Sequence, residues 1–394
     1  GFGQAVKDIS MKGIFMEKSL KKDIIINRLP VVIYFILIFA ALMVIISAVA
    51  PMSNHEPKTT DTYSDFSTGW LNCEESEASL NHLSGTTVIH RTITAADCNK
   101  TLFFFAKTSN IKVFIDGVCQ YRNNHFCSQF FGKTPGALFV NVLIPAKSDG
   151  KLLEIEIENP YKDDDSAKLD EMYIGDISDI IQFQQQKRFN SFCISFIIMV
   201  LGVVMLLLFI PLTRQKIVGI EFLNLGVTAF VSGLYLTTDG RYLQLVFGDA
   251  HIYHVIAETA LRLSILPFLI FLSQMYESYS KRISAILCVI GEIAFAGCFI
   301  GEITEIMDYH ETLFLVHVVF AISMLFILVS TIKGIVKAPK ENIYHNIGCI
   351  VLSFMAMTDI IILWRGTGRE TSYFIRLGIL IFFFMEIVQI IKKF

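Results

Sequence analysis

Six ionisable side chains stand inside apolar stretches in the second half of the chain. They are Asp239, Glu258, Arg262, His317, Asp359 and Arg376. A charged group at the centre of a bilayer costs about 2.5–3.5 kcal/mol on insertion scales, so such groups usually face the protein interior and find partners there. Each lies within roughly two turns of the outer end of its predicted helix. The six are therefore predicted to form one polar layer.

Spacing predicts two ion pairs within this layer. Glu258 and Arg262 are four residues apart and share one face of a helix. Asp359 and Arg376 fall at similar depth on consecutive antiparallel helices. Either the layer clamps the helices together, or it forms a polar pocket or switch beneath an outer domain. The sequence leaves both interpretations open.

Seven apolar runs must position these residues. A hydrocarbon core about 30 Å thick needs about 20 helical residues, and each run has that length. The runs lie roughly at 190–212, 217–238, 252–276, 283–301, 312–332, 344–364 and 372–391. They are continuously apolar, without the alternation of a half-buried strand, so the sequence predicts a seven-helix membrane bundle over residues 190–394.

The chain begins with a polar segment, residues 1–30, predicted to be cytoplasmic. The apolar run 31–50 that follows is either a signal peptide or a retained transmembrane signal-anchor. Pro51 comes directly after Ala48-Val49-Ala50, which disfavours cleavage, so the retained anchor is preferred.

Residues 51–189 are predicted to form an extracytoplasmic β domain inserted between anchor and bundle. In Lys151–Glu158, Leu153, Ile155 and Ile157 alternate with glutamates, as in a strand buried on one face. Further strands are predicted at 101–107, 112–115, 118–121, 137–144 and 171–174. Asp116-Gly117 fits a two-residue hairpin turn. Short strands with polar turns indicate an all-β sandwich, followed by a polar connector at 176–187.

Four cysteines fall in this domain: Cys73, Cys98, Cys119 and Cys127. An oxidising exterior permits disulfides among them, but four cysteines allow three pairings and the sequence does not choose. Asp163-Asp164-Asp165 is expected to be a solvated loop rather than a calcium site. Trp70, Tyr121 and Phe131 could stack on a sugar ring, although core packing is preferred. No metal or cofactor is predicted.

Lysine and arginine counts in the short loops predict the orientation, because positive charge stays cytoplasmic. One set of turns carries Arg214, Lys216, Lys281, Arg282, Lys333, Lys337, Lys340, Lys392 and Lys393. The opposite turns hold Arg241, then the acidic stretch Glu302, Glu305, Asp308 and Glu311, then Arg365 and Arg369. Lys187 and Arg188, at the outer edge of the first bundle helix, weakly oppose the assignment. Residues 51–189 are therefore predicted outside and Phe394 inside, in a multi-pass plasma-membrane protein. Glu386, near the cytoplasmic end, is expected to snorkel or to pair with Lys392.

Composition excludes several function classes. The 394 residues are 53% hydrophobic and only 18% charged, unlike a soluble domain. No basic face suggests nucleic acid. The chain contains no GxxxxGK[ST], HExxH or CxxC motif, so catalysis within it is not expected.

The order of parts resembles the bacterial seven-transmembrane receptors with diverse intracellular signalling modules. Gly233–Asp239 and Leu243–Gly248 look like the corresponding stretches of members that carry a C-terminal GGDEF diguanylate cyclase domain. Pro145, Gly150 and Leu152–Asn159 resemble late strands of the outer jelly-roll in that family. The resemblance implies a jelly-roll similar to carbohydrate-binding modules and a cytoplasmic output domain or partner. This chain has no GGDEF string.

Three function classes remain open. The preferred one is a receptor that detects an extracellular carbohydrate or small polar molecule and passes the signal through the bundle, with a homodimer left open. The second is a surface ligand-binding or scaffold protein that the helices anchor. The third is a transporter or channel, although neither an internal repeat nor a broken helix is visible; Pro267 does sit inside the third helix.

Overall fold

A computed structural model describes most of the chain from Thr62 onward. The described ranges are 62–123, 136–161, 167–216, 218–248, 250–275, 278–337, 342–364 and 372–393. The predicted cytoplasmic segment and signal-anchor, Cys127, Phe131 and Asp163–Asp165 lie outside these ranges.

The β region, as far as it is described, contains nine strands in two antiparallel sheets. They are β1 (Tyr63–Asp65), β2 (Leu71–Asn72), β3 (Thr86–Thr92), β4 (Thr101–Lys107), β5 (Asn110–Ile115), β6 (Val118–Arg122), β7 (Ala137–Leu143), β8 (Leu152–Glu158) and β9 (Lys168–Gly175). One sheet has the order β1-β9-β4-β7 and the other β2-β3-β8-β5-β6.

The two sheets pack face to face around one apolar core. Ile89, Val113 and Ile155 of the five-stranded sheet share a buried cluster with Leu102 and Phe104 of the other. The alternation predicted for β8 is observed, with its isoleucines buried and its glutamates partly exposed. Asp116 and Gly117 both have positive φ, 53° and 74°, as a tight hairpin turn between β5 and β6 requires. A β domain ahead of the helices is thus confirmed.

Eight helices follow within the described residues. They are α1 (Ile177–Arg214), α2 (Ile220–Asp239), α3 (Tyr242–Phe247), α4 (Ala250–Met275), α5 (Ser278–Ile303), α6 (Leu313–Lys337), α7 (Ile343–Trp364) and α8 (Tyr373–Lys393). By length and composition, α1, α2, α4, α5, α6 and α7 can each cross a membrane. The chain therefore forms a multi-pass helical membrane protein that carries a β domain.

Helix α1 begins earlier than predicted. The polar segment 176–187, expected to be a connector, is the first part of one 38-residue helix. The Asp176 side chain accepts a hydrogen bond from the Ser178 N–H at 2.8 Å, which caps the helix N-terminus. Because the helix runs without interruption from the last strand into the bundle, the β domain is attached to the membrane region by a stiff element.

Two glycines let α1 and α2 approach until their backbones touch. A Cβ atom on Gly233 would lie 2.3 Å from the Met199 nitrogen, and one on Gly202 would lie 2.2 Å from the Phe230 nitrogen. Small residues at such crossings are typical of membrane helices, where close packing replaces the hydrophobic effect. The first two spans therefore form a tightly joined pair.

Candidate ligand site between the β domain and the helices

The four-stranded sheet of the β domain is buried on both faces. Leu102 and Phe104 of β4 point into the sandwich core, whereas Phe103 and Phe105 are buried but do not belong to it. The guanidinium of Arg241, between α2 and α3, lies 4.1 Å from the ring centre of Phe105. Phe103 stacks on Phe139 of β7, with 5.4 Å between ring centres. The second face of this sheet is thus covered by one end of the helical bundle.

The edge of the same sheet is also covered. Gln244 of α3 lies beside the backbone of β7, which is an outer strand of its sheet. With its amide turned accordingly, the side chain accepts from the Phe139 N–H and donates to the Ala137 carbonyl, both at 3.0 Å. These bonds mimic those of a neighbouring strand and fix the edge on the helices.

A carboxylate of β9 joins the sheet to α1. Glu171 accepts from the Lys187 ammonium and from the Arg188 guanidinium, each at 2.6 Å. Burial tends to raise the pKa of Glu171, but Arg188 and Lys187 outweigh it and hold the pKa below its ordinary value. Lys187 and Arg188 oppose the predicted orientation, and this contact gives both of them a partner in the β domain.

A second junction joins the β domain to the turn between α5 and α6. The Tyr161 hydroxyl donates a short hydrogen bond to the Asp308 carboxylate, and both residues are buried. The Tyr161 ring also packs on His310, with 4.5 Å between ring centres. Burial and the bond to Asp308 raise the pKa of Tyr161 well above its ordinary value, so the phenol stays protonated and keeps donating.

A cavity of about 150 Å³ lies between these junctions. Its wall combines side chains of the β domain with the ends of α2, α4 and α6 that lie nearest to that domain. The lining residues used below are Lys107, Asp239, Arg241, His254, Glu258 and His317. An engineered cavity of about 150 Å³ in another protein binds benzene. A cavity of this volume therefore suits a ligand with on the order of six to ten non-hydrogen atoms.

Two cationic side chains line this cavity, those of Lys107 and Arg241, and the backbone at or next to each of them is strained. Thr108, directly after Lys107, has φ 56°, and Arg241 itself has φ 60°. The left-handed region costs a residue other than glycine about 1–2 kcal/mol, and more for β-branched threonine, so such positions persist only where surrounding contacts hold them. Burial lowers the pKa of Lys107, and the neighbouring Arg241 charge lowers it further.

Three of the six sequence-predicted residues line the cavity: Asp239, Glu258 and His317. Arg262 lies directly behind Glu258, to which its Nη1 donates at 2.7 Å. Its Nη2 donates to the Tyr309 carbonyl at 2.7 Å and to the Thr312 hydroxyl at 3.1 Å. The spacing argument for Glu258 and Arg262 therefore identified two residues in contact.

The same arginine connects the cavity to the junction at Asp308. Tyr309 follows Asp308 in the chain, and its ring centre lies 4.1 Å from the Arg262 guanidinium. Its N–H donates to the buried Glu302 carboxylate at 2.5 Å. A continuous chain of direct contacts therefore joins Tyr161 to Arg262 and Glu258. A displacement of Tyr161 can be transmitted along it.

Asp359 and Arg376 lie at the same end of the bundle but outside the cavity lining. Asp359 accepts from the Ile375 N–H at 2.6 Å and from the Phe374 N–H at 3.3 Å, so it caps α8 from a neighbouring helix. Arg376 donates from Nε to the Ser195 hydroxyl at 3.1 Å, and its charge also acts on Asp359. These residues hold α8 against α1 and α7.

A serine connects these capping contacts to the cavity. Ser372, just ahead of α8, donates to Asp239 at 3.1 Å. The same hydroxyl lies 3.1 Å from the hydroxyl of Tyr235, another lining residue. The start of α8 is thus hydrogen-bonded to the cavity wall.

Several contributors were not identified as site residues from the sequence. Lys107 ends β4 and Tyr161 closely follows β8, whereas Arg241 and Asp308 lie in turns, where a charge indicates orientation rather than a site. The signal that could have found them is a charged or aromatic side chain in an outer turn of an apolar bundle. Their grouping depends on how the β domain docks, which no local pattern encodes.

Glu386 also differs from the expectation. Its carboxylate is buried rather than extended toward the headgroups and contacts His345 of α7, with 2.5 Å between the carboxylate oxygen and Nδ1. Burial of an unpaired carboxylate is costly, which favours snorkelling when the bundle interior offers no polar partner. His345 supplies a partner, so Glu386 stays buried.

In the β domain, Trp70 is 1% exposed and donates from Nε1 to the Phe66 carbonyl at 2.8 Å. It belongs to the core and offers no stacking surface to a sugar. Within the described residues, Cys73, Cys98 and Cys119 form no disulfide with one another, and pairings that involve Cys127 stay predictions.

The cavity therefore offers room for a small polar molecule at a junction between two parts of the protein, beside a network of charged side chains. No protein family, no curated protein and no solved structure matches this chain.

Proposed function

We propose that this protein is a membrane receptor in which a small polar ligand binds the junction cavity and alters how the β domain docks on the helices. The observation that carries the proposal is the mixed wall of the cavity. Lys107 belongs to the β domain, whereas Arg241, Asp239 and Glu258 belong to the helical region. A ligand that touches both parts changes the free energy of docking by its differential affinity for the docked and displaced arrangements.

The proposal includes the orientation of the chain. The β domain, the 304–312 turn and the start of α8 share one end of the bundle. Arg214, Lys216, Lys281, Arg282 and Lys333 lie at the other ends of their helices. The positive-inside rule then assigns the β domain to the outside and the lysine-rich ends to the cytoplasm. The receptor would lie in the plasma membrane.

The signal has two routes through the bundle. Helix α1 runs from the β domain to the far side without a break. Helix α8, taken as the seventh span, begins at the Ser372 and Asp359 contacts beside the cavity wall. Its far end would face a cytoplasmic output domain or partner. A jelly-roll domain and a diguanylate cyclase output, as in the bacterial seven-helix receptors that the sequence resembles, are part of this proposal.

The experiment fills the cavity with a larger side chain of the protein itself. Ala257 lines it and is 5% exposed, so Ala257→Trp should occupy the space of a ligand. The full chain in lipid nanodiscs is melted with a panel of small carboxylates, amines, amino acids and monosaccharides. At least one compound is expected to raise the Tm of the wild type and not of Ala257→Trp. Ala296→Trp, on an exposed face of α5, is the matched control and should keep the response.

Other outcomes would reject the proposal. If no compound shifts the Tm, or if Ala257→Trp responds like the wild type, the cavity is not a ligand site and the anchored-scaffold reading gains support. If a compound binds the cavity and is also carried into proteoliposomes, the protein is a transporter rather than a receptor.

A further inference from the structure

We propose that α5 is the contact surface for a second copy of this chain, in a two-fold symmetric dimer in which the Glu292 carboxyl groups of the two copies meet inside the membrane. The inference goes beyond the proposed function and does not depend on the ligand site.

Glu292 lies where a lone carboxylate is costly. It is midway along the membrane span of α5, Lys281–Ile303. Its side chain is exposed on the surface of the bundle rather than turned inward. None of the described residues forms a hydrogen bond or an ion pair with it. Acidic groups at this depth are rare and nearly always have a partner, so Glu292 indicates a partner outside the described chain.

Two other glutamates within the helices do have partners. Glu258 accepts from Arg262 at 2.7 Å, and Glu386 contacts His345 at 2.5 Å. Helix α5 is also the least covered of the six spans found in the described residues. Its most apolar window is 22% buried, whereas that of α4 is 67% buried. The face that carries Glu292 is therefore open to another helix.

The residues around Glu292 form a narrow seam that suits a second helix. Steps of four and three residues alternate along it, through Ala285, Val289, Glu292, Ala296, Phe299 and Ile303. Each of these side chains is exposed or partly exposed. A period of 3.5 residues is that of two helices packed at a shallow left-handed crossing, and small residues such as alanine let membrane helices approach closely.

The depth of Glu292 favours a second copy as the occupant. Two copies inserted in the same orientation carry this residue at the same depth, and a two-fold axis along the membrane normal brings each seam residue beside its own counterpart. Two carboxyl groups in contact do not both carry a charge, so one keeps its proton and donates it to the other. The predicted signal-anchor, 31–50, is another candidate, but Ala40-Ala41 at its middle offers no hydrogen-bonding side chain.

Single-molecule photobleaching tests the dimer, on the full chain labelled with one fluorophore in lipid vesicles over a range of protein-to-lipid ratios. The wild type is expected to form dimers. Glu292→Leu should raise the dissociation constant about tenfold or more, because it removes the hydrogen bond between the copies. Glu292→Gln should retain most of the association, because an amide both donates and accepts. Equal losses in the two variants would contradict the contact between carboxyl groups.

Val289→Trp and Ile290→Trp form a matched pair. The two native side chains are 52% and 48% exposed. Val289 lies on the seam, whereas Ile290 lies about 160° around the helix from Glu292. Val289→Trp should weaken the dimer and Ile290→Trp should not. On oxidation, Val289→Cys should cross-link two copies and Ile290→Cys should not, with the wild type as the baseline for the native cysteines.

A second readout separates association from misfolding. In nanodiscs that hold one copy each, Glu292→Leu should melt no lower than the wild type, because Glu292 has no hydrogen bond or ion pair inside the described chain. A lower Tm would assign Glu292 a role in the fold and overturn the inference. Helix α5 contributes no residue to the cavity lining, so Glu292→Leu should keep any ligand response of the junction cavity. The dimer and the proposed function can therefore fail separately.

Several results would overturn the inference. The wild type could be monomeric at every ratio, or its dimers could survive both Glu292→Leu and Val289→Trp. A disulfide between Val289→Cys and Ala40→Cys within one chain would show that the predicted anchor covers this face instead. If the purified chain is monomeric and Glu292→Leu loses a complex with another protein in native membranes, the occupant is a different membrane protein and not a second copy.

Discussion

The hydroxyl of Tyr161, in the β domain, donates a short hydrogen bond to the carboxylate of Asp308, in the turn between α5 and α6. Tyr161 is 7% exposed and Asp308 2% exposed, so water does not compete strongly for either group. The same turn presents Tyr309 to Arg262. The contact between Tyr161 and Asp308 therefore lies directly beside Arg262, which pairs with the cavity residue Glu258.

Tyr161→Phe should loosen this junction. The substitution keeps the ring and leaves the Asp308 carboxylate without the phenol, and a lost hydrogen bond to a charged group costs about 1.5–3 kcal/mol. Thermal unfolding in detergent should show a lower Tm, and amide exchange in the 304–312 turn should increase. Tyr121→Phe is the control, because the Tyr121 hydroxyl makes no hydrogen bond within the described chain. Equal Tm values for the two variants would show that the contact does not fix the domain.

The Glu171 contact predicts a dependence of stability on acid. The folded protein lowers the pKa of Glu171, so the contact contributes stability above the ordinary glutamate pKa, and this is lost as pH falls through the folded pKa. The wild type should therefore lose stability below about pH 4.5, and Glu171→Gln should lose less over that window while being less stable at pH 7. Melting both proteins from pH 7 to pH 3 measures this. Parallel curves would remove Glu171 from the docking contacts.

The charged pair behind the cavity should respond unequally to its two substitutions. Arg262→Met leaves Glu258 unpaired and releases the Tyr309 carbonyl, and breaking a buried pair costs about 3–5 kcal/mol. Glu258→Gln should cost less, because Arg262 keeps its bonds to Tyr309 and Thr312. The double variant should be more stable than Arg262→Met alone. Thermal unfolding of both single variants and the double decides this, and purely additive losses would mean that the two residues act separately.

The close contact of α1 and α2 at Gly233 predicts that alanine substitutions at Gly233 and Gly297 will affect stability differently. Gly233→Ala places a methyl group 2.3 Å from the Met199 nitrogen, so α1 and α2 must separate. Overpacking of this kind costs about 1–3 kcal/mol. Gly297 of α5 has open space at its Cβ position, so Gly297→Ala should be neutral or stabilising by up to about 1 kcal/mol. If both variants melted alike, the close crossing of α1 and α2 would be wrong.

Elements with a strong periodic signal were predictable. Helix bounds differ from the predicted runs by a few residues, apart from α1, and the β8 alternation and the Asp116-Gly117 turn gave local structure directly. Strands β1 and β2 were missed, since Tyr63–Asp65 and Leu71–Asn72 are too short to show a period. Strand β3 was missed because Ile89 alone is buried in Thr86–Thr92, so no alternation is visible. The α1 extension was missed because a polar amphipathic helix start resembles a linker.

The site was predictable only in part. Spacing along one helix was sufficient for Glu258 and Arg262, because residues four apart always share a face. Lys107 and Arg241 are separated by more than a hundred residues, and their meeting depends on the docking of a sheet face that carries Phe103 and Phe105. The continuous apolar run Leu102–Ala106 was the available signal, since a strand buried on both faces needs a cover on each.

The central claim is that occupation of the junction cavity changes the far end of the bundle. Hydrogen exchange measured on the full chain in nanodiscs tests it, with and without a saturating compound that raises the Tm, in the wild type and in Ala257→Trp. The account predicts that the compound alters exchange both in the 304–312 turn and at residues 211–222, on the opposite side of the bundle, only in the wild type. Altered exchange confined to the cavity, with residues 211–222 unchanged, would contradict it.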